Sequence, residues 1–181
     1  FFILFNLLLL TQGISYAMEN KIKFDKETYY LSNPDSETKN YDYLLKDENI
    51  GNWHTKIQIT NFATSIHQFF RWLTNPTDAA AQYAHEIQEK TKGASVLVYP
   101  DASIVGYLTF PENKEYYEYN TAVYQTSKGK GLDRFSYAKR FYSSELGGQE
   151  EARKKAIDFA EKNNKKYMEL VTKEAPKYKV D

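Results

Sequence analysis

Two long aromatic runs, Tyr116 to Thr126 and Leu132 to Tyr142, flank Lys128-Gly129-Lys130-Gly131, and this arrangement constrains the fold more than any other feature. Glycine accepts positive φ without steric cost, so the tetrapeptide is a hairpin tip and the runs are its antiparallel strands. Further strands are predicted at Lys23–Leu31, Tyr41–Lys46, Ser95–Tyr99 and Ile104–Phe110, punctuated by Ser32-Asn33-Pro34-Asp35-Ser36, Pro100-Asp101 and Pro111-Glu112-Asn113. From Trp53, the residues Trp53, Thr55, Ile57 and Ile59 alternate with His54, Lys56, Gln58 and Thr60, which predicts a strand with one buried face.

Two segments carry helical spacing instead. Asn75 caps and Pro76 opens a predicted helix to about Lys92, with Ala80, Ala84, Ile87 and Thr91 on one stripe and Gly93 as its stop. After Gly147-Gly148 a longer helix presents Ala152, Ala156, Phe159, Asn163, Tyr167 and Leu170. Stripes this narrow imply one face lying on a sheet. No repeat, low-complexity tract or Pro/Gly-rich linker divides the chain, so residues 18–181 read as one domain. The expected class is α+β, an antiparallel sheet of about six to seven strands sandwiched with two main helices.

With Asn52-Trp53-His54-Thr55-Lys56-Ile57-Gln58-Ile59 as its Trp-containing third strand, this element order resembles the PsbP-like superfamily. The resemblance implies α/β/α layering and a tendency toward non-catalytic binding or assembly modules. It carries over no catalytic residue. The stretch Phe62 to Thr74 is longer than the family's strand-to-helix loop and reads as an insertion.

The N-terminus constrains compartment. Phe1 to Leu10 is uncharged and apolar, Thr11-Gln12-Gly13 breaks it, and Ser15 and Ala17 are the small residues that precede a signal-peptidase cut. Residues 1–17 are therefore expected to be a signal peptide, with the mature chain starting at Met18 in the periplasm or outside the cell. The run is too short for a spanning helix, so no transmembrane span is expected after cleavage. Cysteine is absent, which removes disulfides, lipoprotein modification and thiolate chemistry together, and zero Cys in an exported chain favours a bacterial source. Lys+Arg and Asp+Glu both number 24. Up to Glu118 there are 10 basic and 15 acidic residues, so the basic excess sits near the C-terminus, on a helix face. A balance this even argues against nucleic acid as a partner.

No catalytic motif of useful specificity emerges. His85-Glu86-Ile87-Gln88-Glu89 opens like a zinc-peptidase signature but places Glu89 where the second His belongs. Asp101, Glu112, Glu115 and Glu118 cluster at hairpin tips, and Ser143 and Ser144 lie outside any nucleophile elbow. Phe62, Ile66, Phe69, Phe70, Trp72 and Leu73, with His67 and Arg71 beside them, form an amphipathic stretch that reads as core or as an interaction surface. Phe69, Phe70, Arg71 and Trp72 are the predicted binding residues, and no catalytic residue, metal or cofactor is assigned. The expected function is a non-catalytic exported binding or assembly protein whose apolar, aromatic surface takes a protein partner or apolar ligand, its oligomeric state open. The alternative is a small exported hydrolase joining His54 or His85 to nearby carboxylates.

Overall fold

The computed structural model describes residues 18–35, 39–62, 76–90, 96–98, 103–110, 115–127 and 131–180. Its strands are β1 (Lys21–Phe24), β2 (Glu27–Asp35), β3 (Asn40–Leu44), β4 (Thr55–Phe62), β5 (Val96–Val98), β6 (Ile104–Thr109), β7 (Tyr116–Thr126) and β8 (Leu132–Tyr142). The helices are α1 (Pro76–Lys90) and α2 (Gln149–Glu174), the latter followed by a 3-10 turn at Ala175–Lys177. The strands form one sheet in the order β1-β2-β3-β4-β8-β7-β6-β5. Every neighbouring pair is antiparallel.

The class is α+β as expected, with the β7–β8 hairpin running from Thr126↔Leu132 to Tyr116↔Tyr142. Gly131, at the end of its turn, has φ 98°, which a side chain would strain. Among the described residues the sheet has eight strands, because the run Lys23–Leu31 is a tight hairpin, not one strand. Asp25 and Lys26 turn it with φ 45° and 72°, the left-handed pair that a two-residue hairpin requires. Neither residue is the usual Asn or Gly, and α2 supplies what they lack. Lys166 Nζ and the Tyr167 hydroxyl both donate to Asp25 Oδ2, at 2.7 and 2.8 Å. The predicted turn at Ser32–Ser36 is also corrected, since β2 continues to Asp35 and absorbs the irregularity as a bulge between Leu31 and Asn33.

Strand parity separates two faces. Ile57, Ile59, Leu108, Tyr117, Tyr119, Val123, Phe135 and Tyr137 point to the first face and pack with Ala152, Ala156, Tyr167 and Val171 of α2. Residues of opposite parity, Val105, Tyr124 and Leu132, pack with Ala79, Ala80 and Ala84 of α1. The helices therefore lie on opposite faces, and β7 is buried without interruption from Tyr119 to Tyr124 because both of its sides are covered. The first-face core is aromatic: Phe24 stacks on Tyr137 at 5.2 Å, and Tyr137 on Tyr167 at 4.4 Å with ring planes 3° apart.

Two expectations about buried stripes are corrected. Trp53 is buried, but it joins Leu44 and Ala138 on the second face, away from Ile57 and Ile59. It precedes β4, so strand alternation does not reach it. On α2 the polar residue drawn inside is Asn164, whereas Asn163 is half-buried and donates to the Phe159 carbonyl at 3.0 Å. Asn164 Oδ1 accepts from the Tyr119 hydroxyl at 3.0 Å, and Gly106 beneath leaves it room. A Cβ at position 106 would lie 2.7 Å from that oxygen. The C-terminal tail is pinned as well. Buried Asp133 accepts from Asn61 Nδ2 at 2.7 Å and from the Val180 amide at 3.0 Å.

Candidate functional site

The second face is where polar chemistry gathers. Along β3, β4 and β8, residues facing away from α2 are Asn40, Asp42, Lys56, Gln58, Thr60, Arg134 and Ser136, placed side by side by the registers Asn40↔Thr60, Asp42↔Gln58 and Thr60↔Arg134. They are bonded in sequence. Arg134 Nη2 donates to Gln58 Oε1 at 2.7 Å and to Thr60 Oγ1 at 3.3 Å. Gln58 Nε2 donates onward to Asp42 Oδ1 at 2.8 Å, Thr60 Oγ1 to Asn40 Oδ1 at 2.8 Å, and Lys56 Nζ lies 3.5 Å from Asp42.

Aromatic rings surround the guanidinium on its other sides. Its carbon lies 5.6 Å from the Phe62 ring centroid and 5.3 Å from that of Tyr83, the contribution of α1. Tyr83 also meets Tyr107 hydroxyl to hydroxyl at 3.0 Å, and Phe62 stacks on Tyr124 at 6.0 Å. Burial works against the charge of Arg134, but the neighbouring Tyr124, Tyr83 and Tyr107 outweigh it and hold the guanidinium above its ordinary pKa. Burial pushes the Tyr107 and Tyr124 hydroxyls upward, so both stay protonated and able to donate. Arg134, Gln58, Thr60, Phe62, Tyr83 and Tyr107 are each half-buried, which leaves the cluster in contact with solvent.

A second constellation sits at the other end of the β4–β8 seam. The His54 ring lies between two carboxylates, with Nδ1 3.1 Å from Glu48 Oε1 and Nε2 3.0 Å from Glu145 Oε2. The His54 amide also donates to Glu48 Oε1 at 2.8 Å. Burial lowers the imidazole pKa, but the hydrogen bonds and charges of Glu145 and Glu48 overcome it and raise it. A general base needs a ring nitrogen free to face its substrate. Here both are engaged, so His54 is a clip joining the β3–β4 connection to the turn before α2. Beside it, Arg140 is stacked between Trp53 at 3.8 Å and Tyr116 at 4.0 Å, while its Nε donates to Glu118 Oε2 at 2.8 Å.

Phe69, Phe70, Arg71 and Trp72 lie outside the described residues, as do His67, Asp101 and Glu112. Phe62, at the start of that aromatic stretch, is described and belongs to the Arg134 cluster. His85 and Glu89 pair at 3.3 Å on an exposed helix face. Among the described residues no group of three or more His, Asp or Glu side chains is placed to hold a metal. Glu115 is exposed, and Ser143 and Ser144 lie in the turn ahead of α2. Among the described residues no helix is long and apolar enough to cross a membrane.

Arg134, Tyr83 and Tyr107 are the site residues that sequence reasoning missed. The available signal was parity on β8, where Arg134 shares its side with the small residues Ser136 and Ala138 and with Arg140, opposite Phe135 and Tyr137.

A protein-family model matches residues 16–175, and the chain belongs to that family. No curated protein and no solved structure matches it.

Proposed function

We propose that this chain, a member of the family that spans residues 16–175, is a non-catalytic exported protein, periplasmic or secreted, that binds or assembles through an aromatic surface. The observation that carries the reading is the convergence of Arg134 with Phe62, Tyr83 and Tyr107 on the second face, a cation set among aromatic rings at the solvent boundary. Such a combination suits recognition, because rings supply contact area and the guanidinium supplies direction. The His54 constellation supports the same side of the question, since its geometry spends both ring nitrogens on holding loops together. Element order and the Trp53 run support a PsbP-like relationship within this reading.

Two measurements test it. Incubation with chromogenic esters and phosphate esters is expected to give turnover no faster than buffer for both the wild type and His54→Asn. Turnover that His54→Asn abolishes overturns the reading in favour of a hydrolase. For export, N-terminal sequencing of material outside the cytoplasm is expected to begin at Met18, and retention of Phe1 to Leu10 in a membrane fraction refutes cleavage there. Phe69, Phe70, Arg71 and Trp72 remain proposed contact residues. Replacing Phe70 and Trp72 together by Ser is expected to leave folding near normal and to abolish partner capture, whereas a large loss of stability assigns them to the core.

A further inference from the structure

Arg134 is a half-buried cation. Among the described residues its side-chain hydrogen-bond partners are the neutral Gln58, Thr60 and Tyr124, no carboxylate pairs with it, and its buried Nε has no hydrogen-bond partner. Glu118 faces the same way along the sheet but is held by Arg140, and between Arg134 and Asp42 stands Gln58. Its amide gives Oε1 to Arg134 and Nε2 to Asp42, while Lys56 takes up the Asp42 charge. The guanidinium stays charged, and its unpartnered Nε leaves one donor unsatisfied. An incoming anion supplies the missing acceptor.

The surroundings state what kind of anion fits. A guanidinium presents a planar fork matched to a carboxylate or phosphate oxygen pair. The Tyr83–Tyr107 hydroxyl pair uses one of its two hydrogens internally, which leaves the other as a donor on one of the two hydroxyls. The Phe62 and Tyr83 rings flank the guanidinium and give the flat apolar body of an anion aromatic neighbours. We infer that Arg134, Tyr83, Tyr107 and Phe62 form a binding site for a small aromatic oxyanion, with Arg134 gripping the oxygens and the rings holding the body. This rests on the binding-protein reading above and names its ligand class.

The test uses the full mature chain and isothermal titration with benzoate and phenyl phosphate, with benzamide and inorganic phosphate as neutral and non-aromatic controls. Saturable binding of benzoate or phenyl phosphate is expected, at least about tenfold tighter than either control. Which of the two binds distinguishes a carboxylate from a phosphate head. Arg134→Met is expected to remove that binding while leaving the ligand-free melting temperature unchanged or raised, because an apolar side chain of similar length carries no desolvation cost. A purely structural arginine predicts the reverse, a lowered melting temperature. Tyr83→Phe, which deletes one hydroxyl at a half-buried position, is expected to weaken binding about tenfold without loss of fold. Equal binding by the wild type and both variants overturns the site but leaves the binding-protein reading standing. Inorganic phosphate binding as tightly as phenyl phosphate overturns the aromatic component, and no binding of either aromatic anion overturns the inference outright.

Discussion

Gly106→Ala is the sharpest test of how α2 sits on the sheet. The added Cβ meets Asn164 Oδ1 at 2.7 Å, closer than real methyl groups approach an oxygen. Asn164 is buried on the inner face of α2 and bonded to the Tyr119 hydroxyl, so either the helix lifts locally or the amide rotates away from Tyr119. Overpacking a tight core costs about 1 to 3 kcal/mol, and weakening a buried hydrogen bond adds about 1 kcal/mol. Replacing a glycine in a strand returns up to about 1 kcal/mol through the unfolded chain. The net expectation is a loss of about 1 to 3 kcal/mol in urea melts, or roughly 2 to 12 °C in Tm for a chain of this size. The close approach has a second consequence. In an Asn164→Ala background the new methyl no longer meets that oxygen, so Gly106→Ala should cost less than about 0.5 kcal/mol there, and the cycle should show a coupling above about 0.5 kcal/mol. Equal costs in both backgrounds refute the close-approach argument.

Other expectations follow from the same geometry. Ile57 is fully buried in the α2-side core, so Ile57→Ala should destabilise by about 2 to 5 kcal/mol, and a loss below about 0.5 kcal/mol in denaturant melts contradicts the face assignment. The raised pKa of His54 means that the folded state binds the proton more tightly than the unfolded chain does. Its contribution is therefore complete below the ordinary imidazole value of about 6.5 and is lost as pH rises through the higher folded value. The stability gap between wild type and His54→Gln should shrink from pH 5.5 to pH 8.5, and a gap that widens reverses the sign. At Asp25 burial raises the pKa, but the hydrogen bonds from Lys166 and Tyr167 prevail and lower it, so its contribution is present above about 3.8 and is lost as pH falls through the lower folded value. Asp25→Asn should cost about 1 kcal/mol or less at neutral pH, given the exposure of Lys166, with the difference fading in acid.

What the sequence revealed and what it hid divide along physical lines. The β7–β8 hairpin was legible because two aromatic runs and a glycine-rich tip lie next to one another in the sequence. The β1–β2 hairpin was not, since Asp25-Lys26 is a poor turn signal and its support comes from Lys166 and Tyr167 at the other end of the chain. Trp53 was assigned to the wrong face because alternation holds only inside a strand. Arg134 read as one more solvent-facing charge on β8. Its distinctive setting arises from Tyr83 on a helix and from Phe62 and Tyr107 on other strands, which only the completed sheet brings together.

The seam between β4 and β8 has a consequence for how the chain must be made. β1 to β4 can zip up through successive hairpins, yet the free edge of β4 has no mate until synthesis has passed α1, three further strands and β8. Contacts so distant in sequence slow folding, and an open strand edge in the interim invites pairing with other chains. A ribosome-bound or partly translocated fragment ending before Leu132 should thus behave as a chaperone client, and truncation within β8 should yield aggregates instead of a smaller folded protein.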